Sequence, residues 1–461
     1  MRRSFWLEEL GNELAPREPL NRSVNADVAI IGGGFVGLWT ALELVEKSPG
    51  IRVVILEKDI CGSGASGRNG GFVMSWWPKF SSLVACCGQD EAVRLAAASV
   101  RAIGEVGQFC REHDIDAHFR QNGWLWSATT AAQMDAWQAV ANTCTKLGYP
   151  VFEHLSADEL CRRSGSEVHL GGVFDPSVAT VQPARLAWGL RRIALQKGIK
   201  IFEKTPVTAF DRRKPVHLTT PAGRVVADRV VIASNVWASA IPELSRVIVP
   251  VTSTVVITEP IPDRLAEIGW IGGEAITDSQ LFVDYYRTTL DGRIAFGKGT
   301  GALAFGSRIG ARFQYSEEDA VATEADFRRV YPQLRDVRVA HSWSGGIDRT
   351  YDSLPVLGAL PEAQHIVYGV GWSGNGVGPS RIGGRILSSL ALGIKDEWSQ
   401  AGLVNRKTRL FPPEPLRFVG GNLVRHAVLR KERAEALGRK PSRLDVSFAR
   451  LAPAGLEDKA R

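Results

Sequence analysis

Three glycines and one acid near the N-terminus have the spacing of a dinucleotide-binding turn. An apolar run beginning at Asp27 leads into Gly32-Gly-Gly-Phe-Val-Gly37, and a helical pattern follows. A second β-branched run ends at Glu57, twenty residues after the last glycine. In such a unit a pyrophosphate lies over the glycine turn and the helix N-terminus, and the acid accepts hydrogen bonds from a ribose. Because all the parts are in register, the sequence predicts an adenine dinucleotide site.

Each glycine of this turn has a physical task. Gly32 permits the tight turn, Gly34 lets backbone N–H groups approach the phosphates, and Gly37 lets the helix lie close to the strand. The N-terminal dipole of the helix favours the phosphate charge. The residues expected to contact the nucleotide here are Gly32, Gly34, Phe35, Val36, Gly37, Glu57 and Lys58.

Two further glycine-rich loops follow predicted strands at distant points of the chain. One spans 64–71, and the other spans 371–378 and leads into a helix predicted from Pro379 to Leu392. A single extended cofactor that is touched from several sides accounts for three such loops. The turn at 32–37 alone leaves NAD and FAD equally open, and the two additional loops favour FAD, since an NAD domain has no use for them.

With these loops, the chain resembles the glycine oxidase/D-amino-acid oxidase superfamily of FAD-dependent oxidoreductases over residues 25 to 395. The resemblance rests on the three loops, on Ala233-Ser-Asn-Val-Trp237, and on Trp343-Ser-Gly and Asp352-Ser-Leu-Pro-Val-Leu-Gly358. The loop Gly64-Ala-Ser-Gly-Arg-Asn-Gly-Gly71 is most similar to the γ-glutamylputrescine oxidase and aminophosphonate oxidoreductase branches. Some relatives attach FAD through a cysteine before the Asp-x-x-Pro segment. No cysteine stands there in this sequence, so we expect noncovalent FAD.

The resemblance also implies roles for individual cofactor-binding residues. The 64–71 loop should lie along the pyrophosphate and the flavin edge. The N-terminus of the helix after the 371–378 loop should point at the flavin. Val207 corresponds to a backbone contact with adenine, and Arg68 suits a diphosphate partner, although a loop arginine paired with a surface acid is the alternative. The residues implied are Ser66, Arg68, Asn69, Gly70, Gly71, Val207, Trp237, Gly374, Asn375, Gly376 and Val377.

For the substrate, the sequence offers candidates but no catalytic pair. Amine oxidation requires mainly position, because the flavin accepts the hydride. The candidates for catalytic or substrate contact are Trp77, Tyr286, Arg287, Lys298 and Arg349, with Trp76, Lys79 and Tyr285 as further pocket candidates. Adjacent strand positions face opposite sides, so only one of Tyr286 and Arg287 should enter the pocket.

These candidates suggest different kinds of contact. The tryptophans could cage an alkylamine, and Lys298 could correspond to a lysine that activates oxygen in sarcosine-oxidase-like relatives. Either Arg287 or Arg349 could bind a carboxylate or phosphonate, and a surface salt bridge is equally plausible for both. Oxidase and dehydrogenase activity both remain open.

The strand and helix patterns predict an α/β fold with a Rossmann-like FAD-binding domain. Val225 to Ala233 reads as a buried parallel strand, whereas short strands from Val249 to Phe305, with a turn at Leu290-Asp-Gly292, read as an antiparallel sheet. We expect a discontinuous FAD-binding domain at 25–88, 153–248 and 340–400. An inserted substrate domain at 89–152 and 249–339 and a C-terminal helical extension at 401–461 complete the chain.

Composition is that of an ordinary enzyme. The 461 residues are 44% hydrophobic and 23% charged, and the six cysteines show no metal-ligand spacing. The N-terminus lacks the apolar stretch of an export signal, and no apolar run reaches the length of a membrane span. We therefore expect a cytoplasmic enzyme without a metal.

The positive charge is concentrated in the C-terminal extension. Residues 405–461 contain fourteen Lys/Arg and six Asp/Glu, or +8, so the other 404 residues sum to −1 of the total +7. Within it, residues 421–437 read as a basic amphipathic helix. Packing on its own enzyme is the plainest interpretation, and contact with an anionic membrane or an acidic partner is the next.

Together these features predict an FAD-dependent oxidoreductase that oxidises the C–N bond of an aliphatic amine or amino acid to an imine, which water hydrolyses. Substrates with an anionic end, such as a γ-glutamylated polyamine or an aminophosphonate, fit best, and electrons pass to oxygen or another acceptor. The alternatives are a membrane-associated amino-acid dehydrogenase and, least favoured, an RNA-modifying flavoprotein.

Overall fold

The computed structural model describes residues 2–455. In chain order its α-helices are α1 (Phe5–Glu8), α2 (Phe35–Lys47), α3 (Phe80–Cys87), α4 (Gln89–Glu112), α5 (Gln138–Lys146), α6 (Ala157–Ser164), α7 (Pro183–Gln196), α8 (Pro262–Glu267), α9 (Glu317–Val330), α10 (Pro379–Leu392), α11 (Leu416–Ala436) and α12 (Arg443–Ala449). Within the described part of the chain, none of these helices has the length and apolar character that crossing a bilayer requires.

The strands are β1 (Ser23–Ile31), β2 (Val53–Leu56), β3 (Phe72–Val73), β4 (Trp124–Ala128), β5 (Glu153–Leu155), β6 (Gly171–Asp175), β7 (Ala179–Thr180), β8 (Lys200–Phe202), β9 (Ala209–Phe210), β10 (Val216–Thr219), β11 (Arg224–Ile232), β12 (Val249–Thr258), β13 (Ala275–Thr277), β14 (Asp284–Thr288), β15 (Ile294–Leu303), β16 (Val339–Arg349), β17 (Val356–Leu360) and β18 (Ala363–Val370). Short 3-10 turns connect several of them.

The first sheet is the predicted Rossmann-like sheet. Its order is β17-β18-β11-β1-β2-β8, with β10 and β9 branching from β11. The pairs β1–β11, β1–β2, β2–β8 and β11–β18 are parallel. Helices α2 and α10 pack against each other, and α7 packs on α2. Parallel strands need covered faces, and the buried residues 28–30 of β1 and all of β2 meet that requirement.

The second sheet has the order β16-β12-β15-β14-β13-β4-β6-β5. All of its pairings are antiparallel except β13–β4. Helix α9 packs on β12 and β15, where Phe296 and Phe327 belong to a fully buried aromatic cluster. The predicted α/β fold with a second antiparallel sheet is therefore confirmed.

The sheets divide the chain at points other than the boundaries we predicted. Strands β5 and β6, which we placed in the FAD-binding domain with 153–248, belong to the second sheet. Strand β16, placed there with 340–400, pairs along its length with β12 of the second sheet. The burial pattern of a strand indicates that it is covered on both faces but not which sheet it joins.

The C-terminal extension is helical and packs on the second sheet. Helix α11 contacts β15, and α12 packs on α11. Glu432 of α11 accepts hydrogen bonds from the backbone N–H groups of Leu281 and Phe282, at 2.7 and 3.2 Å. Further along, the Ser353 hydroxyl donates to the carbonyl of Ala454 at 2.7 Å. The extension is thus attached through α11 and again at Ala454.

Candidate functional site

A cavity of about 700 Å³ lies where the two sheets meet. It is lined by the loops after β1, β2, β11 and β18, by residues of β12, β15 and β16, and by the C-terminal extension. Of the eighteen predicted cofactor-binding residues, all but Gly37 and Gly71 line this cavity. The three glycine-rich loops, far apart in sequence, therefore do meet at one site.

The turn after β1 brings backbone close to backbone. Gly32 has a φ of +114°, and a Cβ there would lie 2.5 Å from the carbonyl oxygen of Ala233. A Cβ at Gly37 would lie 2.0 Å from the carbonyl oxygen of Gly32, so Gly37 supports the turn from beneath. Gly34 is the residue before α2 and has no side chain to cap the helix, and Gly34, Phe35 and Val36 line the cavity. The N–H of Phe35 donates to the Ser66 hydroxyl at 2.9 Å. A glycine-lined helix N-terminus of this kind fits a diphosphate.

At the end of β2, Glu57 lines the cavity and is buried. Its carboxylate accepts hydrogen bonds from the N–H groups of Gly33 and Asp59, each at 2.8 Å, and burial raises its pKa. The ammonium of Lys58 lies 4.0 Å from the centre of the Trp237 ring. These side chains form the end of the cavity that the resemblance assigns to adenosine. Their individual contacts with the nucleotide stay predictions.

Arg68 in the 64–71 loop holds backbone segments together. Its guanidinium donates to the carbonyl oxygens of Ser63, Ser344 and Arg2 at 2.8, 3.0 and 2.7 Å. Burial lowers its pKa to about 10. The side chain therefore joins its own loop to β16 and to the N-terminal segment as well as lining the cavity. Within residues 2–455, no surface acid, the alternative partner, accepts a hydrogen bond from Arg68.

The loop after β18 is held by a buried carboxylate. Asp348 accepts hydrogen bonds from the N–H groups of Gly371 and Trp372 and from the Asn235 amide, at 2.7, 3.1 and 2.7 Å. Burial raises the pKa of Asp348 to about 7. Asn375, which precedes α10, lines the cavity, and its buried Oδ1 has no partner among the described residues. That orphaned oxygen is a feature that a bound flavin ring could satisfy.

Four of the five predicted catalytic residues lie away from the cavity. Trp77 is buried in the core against Phe80 and Tyr149, and its neighbour Trp76 is buried in the same core. Neither tryptophan is therefore placed to cage an amine. Both come shortly after the 64–71 loop in sequence, but their side chains pack in the core cluster instead.

Tyr286 and Arg287 do face opposite sides of β14, as predicted, but neither lines the cavity. Tyr286 packs in the aromatic cluster of the second sheet, with its hydroxyl 3.3 Å from Nε2 of His169. Arg287 donates to the carbonyl oxygens of Gly70 and Val181, at 2.6 and 2.7 Å. It supports the 64–71 loop from behind.

Lys298 is part of a buried ionic cluster. Its ammonium lies 3.0 Å from Asp284 and 2.8 Å from Asp326, and Arg329 pairs with both acids. It also donates to the carbonyl of Phe282 at 3.4 Å. The lysine therefore braces the 281–283 loop, which does line the cavity, and does not itself reach it.

Arg349, Lys79 and Tyr285 line the cavity. The Tyr285 hydroxyl is 2.8 Å from Oγ of Ser253, and burial raises the pKa of Tyr285 to about 12. The Tyr285 ring also packs against the 64–71 loop, since a Cβ at Gly70 would lie 2.9 Å from that ring. Arg349 is half-buried, and its buried Nε has no hydrogen-bond partner in the described chain. Its pKa is lowered to about 10 by burial.

The C-terminal extension supplies part of the cavity wall, which the sequence pattern did not indicate. Its lining residues include Leu416, Leu423, Val424, Val428, Phe448 and Leu451. A basic amphipathic pattern shows that a helix has an apolar face, but not that this face borders a cavity. Gly420 and Gly421 also line the cavity, but they lie inside α11 and not in a turn between a strand and a helix.

Comparison with known proteins agrees with this geometry. The profile of the family described as "FAD dependent oxidoreductase" matches residues 27–390. The chain is 30% identical over 390 residues to a probable oxidoreductase OrdL of Haemophilus influenzae, covering 83% of this chain and 86% of that protein. It is also 30% identical over 393 residues to the γ-glutamylputrescine oxidoreductase of Escherichia coli K12, covering 85% and 89%.

Among solved structures, glycine oxidase from Geobacillus kaustophilus superimposes with a TM-score of 0.68 at 24% identity, covering 81% of this chain and 96% of that one. The chain belongs to the FAD-dependent oxidoreductase family that includes glycine oxidase. The predicted fold class, the enzyme class and the FAD cofactor are confirmed.

Proposed function

We propose that this enzyme oxidises the C–N bond of an aliphatic amine that carries an anionic group. The FAD-dependent oxidoreductase family supplies the redox class, and the names of two similar proteins, γ-glutamylputrescine oxidoreductase and glycine oxidase, point to amine donors. When bound, FAD accepts a hydride from the carbon that bears the nitrogen. A proton leaves the nitrogen, and water hydrolyses the resulting imine to a carbonyl compound and an amine or ammonia.

The anionic group of the proposed substrate is inferred from the position of Arg349. Of the two arginines predicted to bind an anion, Arg287 uses its N–H groups on backbone carbonyls. Arg349 lines the cavity, and no ion pair or side-chain hydrogen bond satisfies it within residues 2–455. A half-buried guanidinium whose buried Nε has no partner is costly unless a partner arrives. A carboxylate or phosphonate accepts two parallel hydrogen bonds from such a group.

Tyr285 is the group best placed to orient the reacting end. Because burial raises its pKa to about 12, its hydroxyl stays protonated at neutral pH. It shares its hydrogen bond with Ser253, which also accompanies it on the cavity wall. A neutral hydroxyl beside the flavin loop can hold an amine nitrogen without adding charge. The reaction then needs no further acid–base pair.

We extend this proposal to the state of the cofactor and the compartment. Among the described residues no cysteine lines the cavity, which supports noncovalent FAD. The scattered cysteines of the sequence suit a reducing, cytoplasmic setting. The electron acceptor, oxygen or another oxidant, is to be decided by experiment. When a panel of amines is added without oxygen, the amine that is the substrate should bleach the flavin. The rate at which the flavin recovers its colour in air then separates oxidase from dehydrogenase activity.

The role of Arg349 is tested with Arg349→Met and a pair of amines that differ only in the anionic group. Loss of a charge-assisted hydrogen bond costs about 1.5–3 kcal/mol, so kcat/KM for the anionic amine should fall about 10- to 150-fold. The uncharged amine should be nearly unaffected. Arg338→Met, at an exposed arginine paired with Glu259, is the matched control. Equal losses of kcat/KM for both amines would refute the role of Arg349. If no amine of the panel bleaches the flavin, the proposed amine oxidation itself is refuted.

A further inference from the structure

Helix α11 exposes one continuous face of mixed apolar and basic character. The exposed positions recur every three or four residues, which is the repeat of a single helix face. They are Leu416, Val419, Leu423, His426, Arg430, Arg433 and Leu437. The opposite face holds the buried Ala427, Val428 and Glu432. The helix is therefore anchored on one side and presents large apolar side chains on the other.

The turn from α11 to α12 continues this face. Leu437 is 58% exposed and Leu444 is 72% exposed. Between them the sequence Gly-Arg-Lys-Pro-Ser-Arg contains three cations and no acid. Arg439, Lys440 and Arg443 are all exposed. Two protruding leucines ringed by cations are the chemistry of a segment that enters the headgroup region of a bilayer.

The same surface reaches the entrance of the cavity. Leu416, Leu423, Phe448 and Leu451 are exposed to solvent and also line the cavity. Eight of the sixteen exposed large apolar residues in the described chain fall within 401–455, a small part of its length. Single exposed apolar residues need no explanation, whereas a cluster beside a binding cavity marks an interaction site.

Charge selects the partner of this surface. Residues 405–461 carry a net +8, while the remainder of the chain carries −1. The exposed cations Arg433, Arg439, Lys440 and Arg443 would repel those of a second copy, which disfavours self-association through this face. Nucleic acid would need aromatic platforms, and Phe448 is the single exposed aromatic residue of the described part of the extension. An anionic lipid surface satisfies both the apolar and the basic residues.

We propose that the exposed face of α11 and the 437–444 turn rest on an anionic phospholipid surface, with the cavity entrance beside the membrane. Leu437 and Leu444 enter the headgroup region, and the neighbouring cations contact lipid phosphates. The enzyme would bind as a peripheral protein. This surface lies outside residues 27–390, which the family profile matches, so the proposal does not depend on the proposed amine substrate.

Cosedimentation of the full-length, flavin-loaded protein with vesicles tests the proposal. Vesicles of phosphatidylcholine with 30 mol% phosphatidylglycerol should sediment the protein at low salt, with binding weakened at 0.5 M NaCl. Pure phosphatidylcholine vesicles should not. Flavin absorbance of each preparation confirms that the protein is folded, independently of any turnover.

Matched variants separate the apolar from the electrostatic contribution. The double variant Leu437→Glu/Leu444→Glu should lower vesicle partitioning at least about tenfold. Leu290→Glu, at a residue that is also 58% exposed but lies in the hairpin of the second sheet, should bind as the wild type does. The double variant Arg439→Glu/Lys440→Glu should lose about fivefold or more per cation, whereas Lys197→Glu/Lys200→Glu, on the first domain, should not.

The outcomes that overturn the proposal are specific. Wild-type protein that stays in the supernatant with anionic vesicles contradicts it, as does unaltered binding by the Leu437→Glu/Leu444→Glu variant. Analytical ultracentrifugation without lipid gives another such outcome. If the wild type is a dimer and this same variant is a monomer, the surface is an interface between two copies instead.

Discussion

The two ends of the cavity are built from different parts of the polypeptide. At the cofactor end, glycine-bearing loops bring backbone N–H groups and a helix N-terminus to the surface, as at Gly32 and Gly34. At the substrate end, side chains from β12, β14, β16 and the C-terminal helices form the wall. At Gly32 and Gly37 the first end has no room for a Cβ beside the neighbouring backbone. The second depends on side chains held by contacts behind them.

That contrast shows how each end keeps its shape. The close approach of Gly37 to the Gly32 carbonyl is fixed locally, because both glycines lie within one short strand–turn–helix unit. The 281–283 loop at the substrate end is fixed from a distance by Lys298 and by Glu432 of α11. Damage to the first should remove the cofactor, whereas damage to the second should alter stability and substrate affinity and leave the cofactor in place.

The largest effect is expected for Gly37→Ala. The new Cβ would lie 2.0 Å from the carbonyl oxygen of Gly32, so the turn beneath the diphosphate must shift, at a cost of about 3 kcal/mol or more. Flavin content per protein, measured by absorbance, should fall at least about tenfold. Gly104→Ala, in α4 with open space around it, should keep its flavin and gain about 0.5–1 kcal/mol. Full flavin content in Gly37→Ala would contradict a backbone-built cofactor end.

Lys298→Met should destabilise the substrate end selectively. It leaves Asp284 and Asp326 without their shared ammonium, and a broken buried pair costs about 3–5 kcal/mol. Denaturant unfolding should show this loss while flavin content and the rate of recolouring in air stay unchanged. Lys431→Met, at a partly exposed pair with Glu435, should cost no more than about 1 kcal/mol. Slow recolouring at unchanged stability would instead support the predicted role of Lys298 in oxygen activation.

Glu432, which links α11 to the 281–283 loop, should make the free energy of unfolding depend on pH. Burial raises the pKa of Glu432 to about 7 from an ordinary 4.5, so the folded chain retains a proton that the unfolded chain releases. Stability therefore falls as the pH rises from about 4.5 to 7. In Glu432→Gln this fall should be smaller by on the order of 1–2 kcal/mol, as followed by Tm between pH 4.5 and 8. Glu435→Gln on the same helix is the control, and an unchanged slope in Glu432→Gln would refute the assignment.

The smallest effect should come from two neighbouring tyrosines. Tyr286→Phe removes one hydroxyl in the core, 3.3 Å from His169, and should cost about 1 kcal/mol of stability with KM and kcat unchanged. Tyr285→Phe, on the cavity wall, should lower kcat/KM instead. Steady-state kinetics with the amine found by bleaching decides between them. A larger kinetic effect at Tyr286 would reverse our placement of the two side chains.

The cofactor end was predictable because its signals are local. The φ of +114° at Gly32 and the 2.0 Å between a Cβ at Gly37 and the Gly32 carbonyl oxygen both require glycine. The requirement is therefore visible as residue type, and the strand, turn and helix follow one another in sequence. Sixteen of eighteen predicted residues therefore line the cavity, and Gly37 and Gly71 lie just behind it. The sequence also showed correctly that Tyr286 and Arg287 face opposite sides of one strand.

The substrate end was not predictable in the same way. Strand alternation assigns a face, but Arg287 shares its face with Tyr285 and still lies behind the 64–71 loop, bound to the carbonyl of Gly70. Lys298 has the residue type of a functional lysine, yet three charged neighbours from β14 and α9 enclose it. The position of each neighbour depends on pairings between strands and helices that are distant in sequence.

By itself, the sequence determined that this chain holds an adenine dinucleotide, which loops surround it, and that the positive charge lies at the C-terminal end. Only the tertiary structure decided which arginine faces the cavity, which sheet β16 joins, and that the charged extension forms part of the wall. Local steric and dipolar requirements are written in short stretches of residues. The surroundings of a side chain depend instead on long-range packing, which brings residues such as Arg349 and Leu423 to one cavity.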